Sequence, residues 1–392
     1  MELPEMIGKK IISRLLEPQL SRSKKSILLL GPRQTGKSTL LSSMFTDALK
    51  INLADEAEYL DFASDPKMLE KRLAGRRTDH VVIDEIQRLP SLLNTIQKII
   101  DDKRGYRFLM TGSSARKLRR GQANLLPGRV HTFSLGPLIA AELGYMMDID
   151  RCLRVGTLPG IYQENDDKDN LKTLHSYAAT YLKEEIQAEA LTRNIEGFAR
   201  FLRFAAVSAS QFLDLQKLAK QAQLNHQSAR RYFEILEDTL IVHRLDAFAK
   251  SERTRLIQHP RYFFFDTGVL NALLGNFVVS HDRKGQIFEN FIVTQVIHGL
   301  AARDEIGVRL STYRTEAGAE VDLVIERQNA TYAVEIKASE NISESDLTGL
   351  KSFARYYGKP HIAVVAYMGS HRQQIQGIDI LPWQEFLREH AF

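Results

Sequence analysis

One cysteine, Cys152, stands in 392 residues. A lone thiol closes no internal disulfide and builds no cysteine zinc cluster, which suits a reducing cytoplasm. Long apolar runs are also missing. None approaches the ~20 residues that cross a bilayer as a helix, so no membrane partner is expected. The opening MELPEMIGKK has no apolar core of a signal peptide, and the sequence predicts a cytoplasmic protein. Internal repeats and low-complexity tracts are absent too. Acidic residues vanish over one stretch: none lies between Asp102 and Glu142, where Lys103, Arg104, Arg107, Arg116, Lys117, Arg119, Arg120 and Arg129 all fall. A solvated surface normally mixes signs, so this interval points to an anionic neighbour.

What is present is ordinary for a globular chain. Hydrophobic residues make up 44% and charged residues 26%, and the length suits two to three domains. The net charge of +5 permits a nucleic-acid partner without requiring one.

The most informative stretch is LLLGPRQTGKSTLL, Leu28 to Leu41. Gly31, Gly36, Lys37 and Ser38 fit Gly-x-x-x-x-Gly-Lys-Ser, and the flanks supply its context. KKSILLL (Lys24 to Leu30) reads as a buried strand, and STLLSSMFTDALK (Ser38 to Lys50) has helical spacing. Backbone N–H groups of such a loop, together with the helix N-terminus, hold phosphate oxygens. The loop Gly31, Pro32, Arg33, Gln34, Thr35, Gly36, Lys37, Ser38 and Thr39 is therefore the candidate ATP cradle. Lys37 would reach the β- and γ-phosphates, and the Ser38 hydroxyl would hold Mg²⁺.

A second half is expected on HVVIDE (His80 to Glu85), an apolar strand tipped by two acids. Asp84 would support the metal and Glu85 would activate the attacking water. YRFLMTGSS (Tyr106 to Ser114) and VHTFSL read as further strands, giving an α/β sheet. Ser113 is the candidate γ-phosphate sensor, with Thr111 and Ser114 as rivals. Arg129, in LLPGRV, is the candidate finger toward a neighbouring subunit's γ-phosphate, with a structural salt bridge as the alternative.

Farther along, LQKLAKQAQLNHQSARRYFEILEDTLIVHRL reads as helix, turn, helix and strand, the order of a winged helix-turn-helix. Ala229, Phe233, Ile235 and Leu236 would face the core, leaving Asn225, His226, Gln227, Arg230 and Arg231 outside. Gln227, Arg230 and Arg231, with Lys250, Arg253 and Arg255 on a wing, are the candidate DNA contacts. Such modules also serve as protein-packing units, and Glu234, Glu237 and Asp238 follow at once.

AEVDLVIERQNATYAVEIKAS near the C-terminus predicts two antiparallel strands around Gln328–Asn329. Their pairing would bring Asp322 to Glu335, with Lys337 on the same face. This is the Asp…Glu-x-Lys arrangement of restriction-type nucleases, in which carboxylates hold Mg²⁺ and the lysine orients water. Glu289, on the preceding helix, would supply a further acid. A surface hairpin of alternating charge, or a domain kept only to bind DNA, would use the same residues differently.

GPRQTGKSTLL, VVIDEIQRLP, LMTGSSARKL and LPGRVHTFSLGPL resemble the AAA-type ATPases of the prokaryotic branch related to origin-recognition and STAND proteins. GTLPGIY, YFFFDTGVLNALLG, FENFIV and EVDLVIE…VEIK are similar to the C-terminal half that accompanies this ATPase, long catalogued as a domain of unknown function. The resemblance implies a nucleotide-dependent homo-oligomer, expected as a hexameric ring. The expected layout is an AAA-type domain over 1–140, a helical lid over 141–195, a winged-helix module over 196–278 and a restriction-endonuclease-like α/β domain over 279–392. The function expected is ATP hydrolysis coupled to duplex or branched DNA. Two alternatives are a STAND-like switch that signals to a protein partner and an ATP-gated, Mg²⁺-dependent endonuclease.

Overall fold

A computed structural model describes residues 11–74, 78–113, 126–181, 195–249 and 259–392. Their contacts divide into two compact units. The first runs to Leu138, and the second begins at Ile139 and holds most of the remainder.

Five strands build the first unit: β1 (Ser26–Leu30), β2 (Leu49–Asn52), β3 (His80–Asp84), β4 (Arg107–Gly112) and β5 (Val130–Ser134). All pair in parallel, in the order β2-β3-β4-β1-β5. Successive side chains of β1 point to opposite faces. Ile27 and Leu29 enter one apolar cluster with Leu40, Leu41, Val82 and Leu109. Leu28 and Leu30 enter another, with Ile51, Val81, Ile83, Leu92, Ile96, Phe108 and Met110. A strand buried on both faces needs an unbroken apolar run, and SILLL supplies it. Each such side chain, fully buried, contributes about 1.5–3 kcal/mol. Helix α1 (Lys37–Met44) follows β1, and α2 (Leu92–Asp101) precedes β4. The helix expected to run to Lys50 stops at Met44. Leu49 and Lys50 instead open β2, whose alternating burial marks an edge strand.

In the second unit, α3 (Leu215–Gln221) and α4 (His226–Asp238) lead into β6 (Val242–Ala247). β7 (Arg261–Phe264), α5 (Thr267–Leu274) and α6 (His281–Ala302) follow, then β8 (Arg309–Arg314), β9 (Glu320–Glu326) and β10 (Thr331–Lys337). Helix α7 (Thr348–Tyr357), β11 (Ile362–Tyr367), β12 (Gln373–Ile375) and β13 (Ile378–Pro382) complete it before a short C-terminal helix. One sheet runs β12-β13-β11-β10-β9-β8-β6-β7. β8, β9 and β10 are antiparallel, whereas β10 and β11 are parallel, with α7 as their crossover. The boundary expected at residue 278 falls inside this unit, because β6 pairs with β8 through Asp246↔Ser311 and Ala247↔Thr312. On one face, α6 packs Phe288, Phe291, Ile292 and Val296 with Leu323, Ile325, Val334 and Val364. On the other, α7 packs Leu350 and Phe353 with Val321, Val324, Ala333 and Val365.

Asp266 caps α5 from a buried position, where its carboxylate accepts from Val269 N at 3.0 Å and Thr157 N at 2.8 Å. A Cβ on Gly156 would fall 2.1 Å from Asp266 Oδ1, so the neighbouring turn needs glycine there. Burial pushes the Asp266 carboxyl up to about 6, outweighing these backbone donors. The folded chain therefore holds this proton more tightly than the unfolded chain. The resulting stability is fully present below pH ~4 and is lost as pH rises through ~6. Across that window the wild type should lose about 3 kcal/mol relative to Asp266→Asn, measured by denaturant unfolding of both proteins at several pH values. Parallel pH profiles for the two proteins would contradict this assignment.

Candidate functional site

The loop after β1 is shaped by what surrounds it. A Cβ on Gly31 would lie 2.2 Å from Leu135 O, so only glycine fits against the chain leaving β5. Gly36, at φ 89°, takes the left-handed turn into α1, and Gln34 is left-handed at 63°. The Thr35 hydroxyl donates to Pro32 O at 2.9 Å and braces the loop from within. Lys37 is only 5% exposed. Its ammonium donates to Gly31 O at 2.9 Å and Pro32 O at 2.8 Å, which aims the charge into the cradle the loop encloses. Thr39 is on the exposed side of α1, and Arg33 is half-buried.

The acidic half converges on the same place. β3 ends at Asp84, and Ser38 Oγ donates to Asp84 Oδ1 at 2.7 Å. This hydroxyl–carboxylate pair has the donor set of a Mg²⁺ site, so the residues present fit the metal. Thr111 Oγ1 also donates to Asp84 Oδ1, and it accepts from Glu85 N at 3.1 Å. Glu85 is left-handed, at φ 57°. Gln87 Nε2 donates to the Glu85 carboxylate and to Ser113 Oγ at 3.1 Å. Ser113 is 0% exposed and reaches the acid pair through Gln87. Thr111, its rival as sensor, touches Asp84 directly, while Ser114 lies outside the described residues.

Arg129 has an intrachain partner. Its Nε and Nη2 meet Asp101 Oδ1 and Oδ2 at 2.5 and 3.0 Å, at the end of α2. A finger role would require the guanidinium to leave this carboxylate. Of the acid-free interval, Arg107 is tied to Leu20 O at 2.7 Å and Lys25 O at 3.1 Å. Arg116, Lys117, Arg119 and Arg120 lie outside the described residues.

In the second unit the four expected polar residues do come together. The β9–β10 register ends with Val334 opposite Leu323, one step before Glu335 and Asp322. Asp322 Oδ2 accepts from Ile336 N at 2.8 Å, and Lys337 Nζ lies 2.8 Å from Glu335 Oε1. Glu289, on α6, is bound by Arg261 of β7, whose Nη1 also lies 3.5 Å from Asp322 Oδ1. Burial raises the Glu289 carboxyl well above its ordinary range and pushes Glu335 up to about 8, with the Asp322 charge adding to both shifts. Desolvation works against the charged Arg261, but Glu289 and Asp322 outweigh it and hold the guanidinium ionised.

On α4, Ala229, Phe233, Ile235 and Leu236 are buried together with Tyr232. Asn225, His226, Gln227, Arg230 and Arg231 are exposed. Arg230 Nε lies 3.4 Å from Glu234 Oε1. His226 and Arg230 also line a cavity of about 630 Å³ with Asp214, Glu237, Arg244 and Tyr262, so the charge there is mixed. Lys250, Arg253 and Arg255 lie outside the described residues.

Residues 23–144 match the family model described as an AAA domain. This part of the chain is an AAA-type ATPase domain. Residues 146–279 and 284–386 match two further families, each described as a domain of unknown function. The chain is similar to uncharacterized proteins of Mycobacterium bovis and Mycobacterium tuberculosis. Each is 28% identical over 352 residues, which is 88% of this chain and 77% of the relative. Among solved structures, the Walker-type ATPase of Pyrococcus abyssi is 16% identical. That match covers 67% of this chain and 96% of the Pyrococcus chain, with a TM-score of 0.47.

Two residues of the first unit escaped sequence reasoning. Arg14, 7% exposed, donates from Nη1 to Thr35 O at 2.8 Å and from Nη2 to Gly136 O at 2.9 Å and Pro137 O at 3.1 Å. It ties the phosphate loop to the segment after β5, and no local pattern in the sequence announces it. Gln87 could have been found: it lies two residues past Glu85, within hydrogen-bond reach of that carboxylate. Among the described residues no helix is long and apolar enough to cross a membrane.

Proposed function

We propose that the chain is an ATP-hydrolysing, oligomeric DNA-binding protein whose ATPase domain moves or remodels duplex or branched DNA. The observation that carries its ATPase part is the meeting of Ser38, at the start of α1, with Asp84, Glu85 and Thr111 at the ends of the adjacent strands β3 and β4, beside the Lys37 loop. The loop N–H groups and Lys37 bind the phosphate oxygens. Ser38 and Asp84 would hold Mg²⁺, which when bound would supply positive charge to the phosphates. Glu85 takes a proton from the attacking water, and Thr111 holds the backbone of that base in place. Arg129, released from Asp101 on assembly of a homo-oligomeric ring, serves the neighbouring site. Gln227, Arg230 and Arg231 meet the DNA from the exposed side of α4.

A panel of single-stranded, duplex, forked and four-way DNA tests this reading by its effect on ATP turnover. Turnover should rise with at least one structure, and DNA affinity should fall steeply with salt as phosphate contacts release counterions. Hydrolysis unchanged by every DNA tested would contradict the DNA role. One observation favours a nucleotide-controlled switch instead. Arg129 is engaged within its own chain and Arg230 is paired with Glu234, so neither cation is committed to an outside partner. That reading expects very slow hydrolysis, no response to DNA and a protein partner recovered by pull-down. The endonuclease reading is the least supported, because a guanidinium stands among the carboxylates it would need.

A further inference from the structure

The second unit carries three carboxylates, Glu289, Asp322 and Glu335, on three different elements around one buried site. Buried carboxylates require a cation. Lys337 serves Glu335 Oε1, and Arg261 serves Glu289 and Asp322. Arg261 belongs to β7, upstream of the α6–β8–β9–β10 segment that supplies the other four groups.

Arg261 is held from behind as well as in front. Its Nε donates to Ser210 O at 2.7 Å and its Nη2 donates to the same oxygen. The rings of Phe212 and Phe263 lie 5.2 and 5.4 Å from its guanidinium carbon. The side chain is 4% exposed, so it is built into the site rather than resting on it. Even so, the cluster is incompletely satisfied. Glu335 is 7% exposed and its Oε2 has no hydrogen-bond partner, nor does Arg261 Nη1. A planar, singly charged guanidinium leaves one buried carboxylate oxygen unmet.

We propose that Arg261 is the resident cation of this site, that it closes the site to divalent metal, and that displacing it opens a Mg²⁺- or Mn²⁺-binding site formed by Glu289, Asp322 and Glu335. Without Arg261, the three buried carboxyl groups would face only Lys337, and a dication would offset the charge of their ionised forms. Hard divalent cations take carboxylate oxygens of this kind, and the unmet Glu335 Oε2 is a ready ligand. Among the described residues, no three acids are spaced to hold an ion as they stand. Binding one would therefore require the three acids to draw together once the guanidinium between them is gone. The inference is independent of the ATP-site reading, so the two fail separately.

The test is Mn²⁺ titration of the full chain without nucleotide, followed by electron paramagnetic resonance, together with thermal unfolding with and without Mn²⁺. Wild type and Asp322→Asn should titrate alike up to about 1 mM Mn²⁺, the weak end of biological dication sites. Arg261→Met should bind one additional Mn²⁺ per chain and be stabilised by the ion. Arg261→Met/Asp322→Asn should lose both effects. A folded Arg261→Met protein that binds no additional Mn²⁺ would overturn the proposal. If that variant does not fold even with Mn²⁺, wild type against Asp322→Asn decides. Equal titrations uphold the closed site, and Asp322-dependent binding in the wild type overturns it.

Discussion

Glu85→Gln should bind ATP within about twofold of wild type and lose turnover by about 10²–10⁴, the usual contribution of a positioned general base. Two features of the site separate binding from chemistry. The cradle is made by the loop from Gly31 to Ser38 with Lys37, and the bonds of Thr35 to Pro32 O and of Lys37 to Gly31 O and Pro32 O do not involve the Glu85 side chain. The Glu85 backbone is fixed independently, by its N–H donating to Thr111 Oγ1 at 3.1 Å. An amide at position 85 keeps the size of the side chain but cannot take a proton from water. Equilibrium binding of a fluorescent nucleotide, alongside steady-state phosphate release, gives both quantities. Turnover near wild type would remove Glu85 as the base.

Lys37→Ala should weaken ATP binding at least about a hundredfold, which corresponds to about 2.7 kcal/mol of lost interaction with the phosphates. The lysine is buried with its ammonium held by two carbonyls of its own loop, Gly31 O and Pro32 O. Phosphate oxygens entering the cradle therefore meet a charge whose chain is already ordered, so little conformational entropy opposes the contact. Alanine removes that charge and leaves the loop N–H groups and the Ser38–Asp84 pair to hold the nucleotide alone. Calorimetry at a fixed Mg²⁺ concentration reads the change. Affinity within threefold of wild type would mean that the phosphates sit elsewhere.

The parts of the ATP site that were legible in the sequence are those written as short patterns on strongly apolar strands. SILLL and HVVID are buried on both faces of the sheet, which makes them readable as central strands. The loop and the acid pair lie at their ends. β2 was missed because an edge strand of four residues alternates in burial, and its start was absorbed into the preceding helical pattern. The sequence leaves Ser113, Thr111 and Ser114 as candidate sensors. Register sets Thr111 beside Leu29 of β1, with its hydroxyl on Asp84, and Ser113 meets Gln87. For Arg129 the sequence offers a finger or a structural salt bridge but names no partner, because no acid lies near it in the chain. Asp101, 28 positions earlier, reaches it in space.

The same limit applies to the C-terminal cluster. Asp322, Glu335 and Lys337 are readable because two paired strands carry them at alternating positions. Arg261 is not, since it precedes Glu289 by 28 positions on a strand whose neighbours are aromatic. Nothing in that strand's own pattern tells a site residue from a satisfied core arginine. Long-range pairing of β6 with β8, which places both strands in the same sheet as the carboxylates, likewise has no local signal.

Titration of wild-type protein with ATP by calorimetry, first with Mg²⁺ and then with the metal chelated, tests most directly whether Lys37, Ser38 and Asp84 form one site. One ATP should bind per chain, with affinity falling at least about tenfold on chelation, because the Mg²⁺ that Ser38 and Asp84 would hold, and the positive charge it would supply, is then absent. Folded protein that takes up no ATP in the presence of Mg²⁺ would contradict the account at its root.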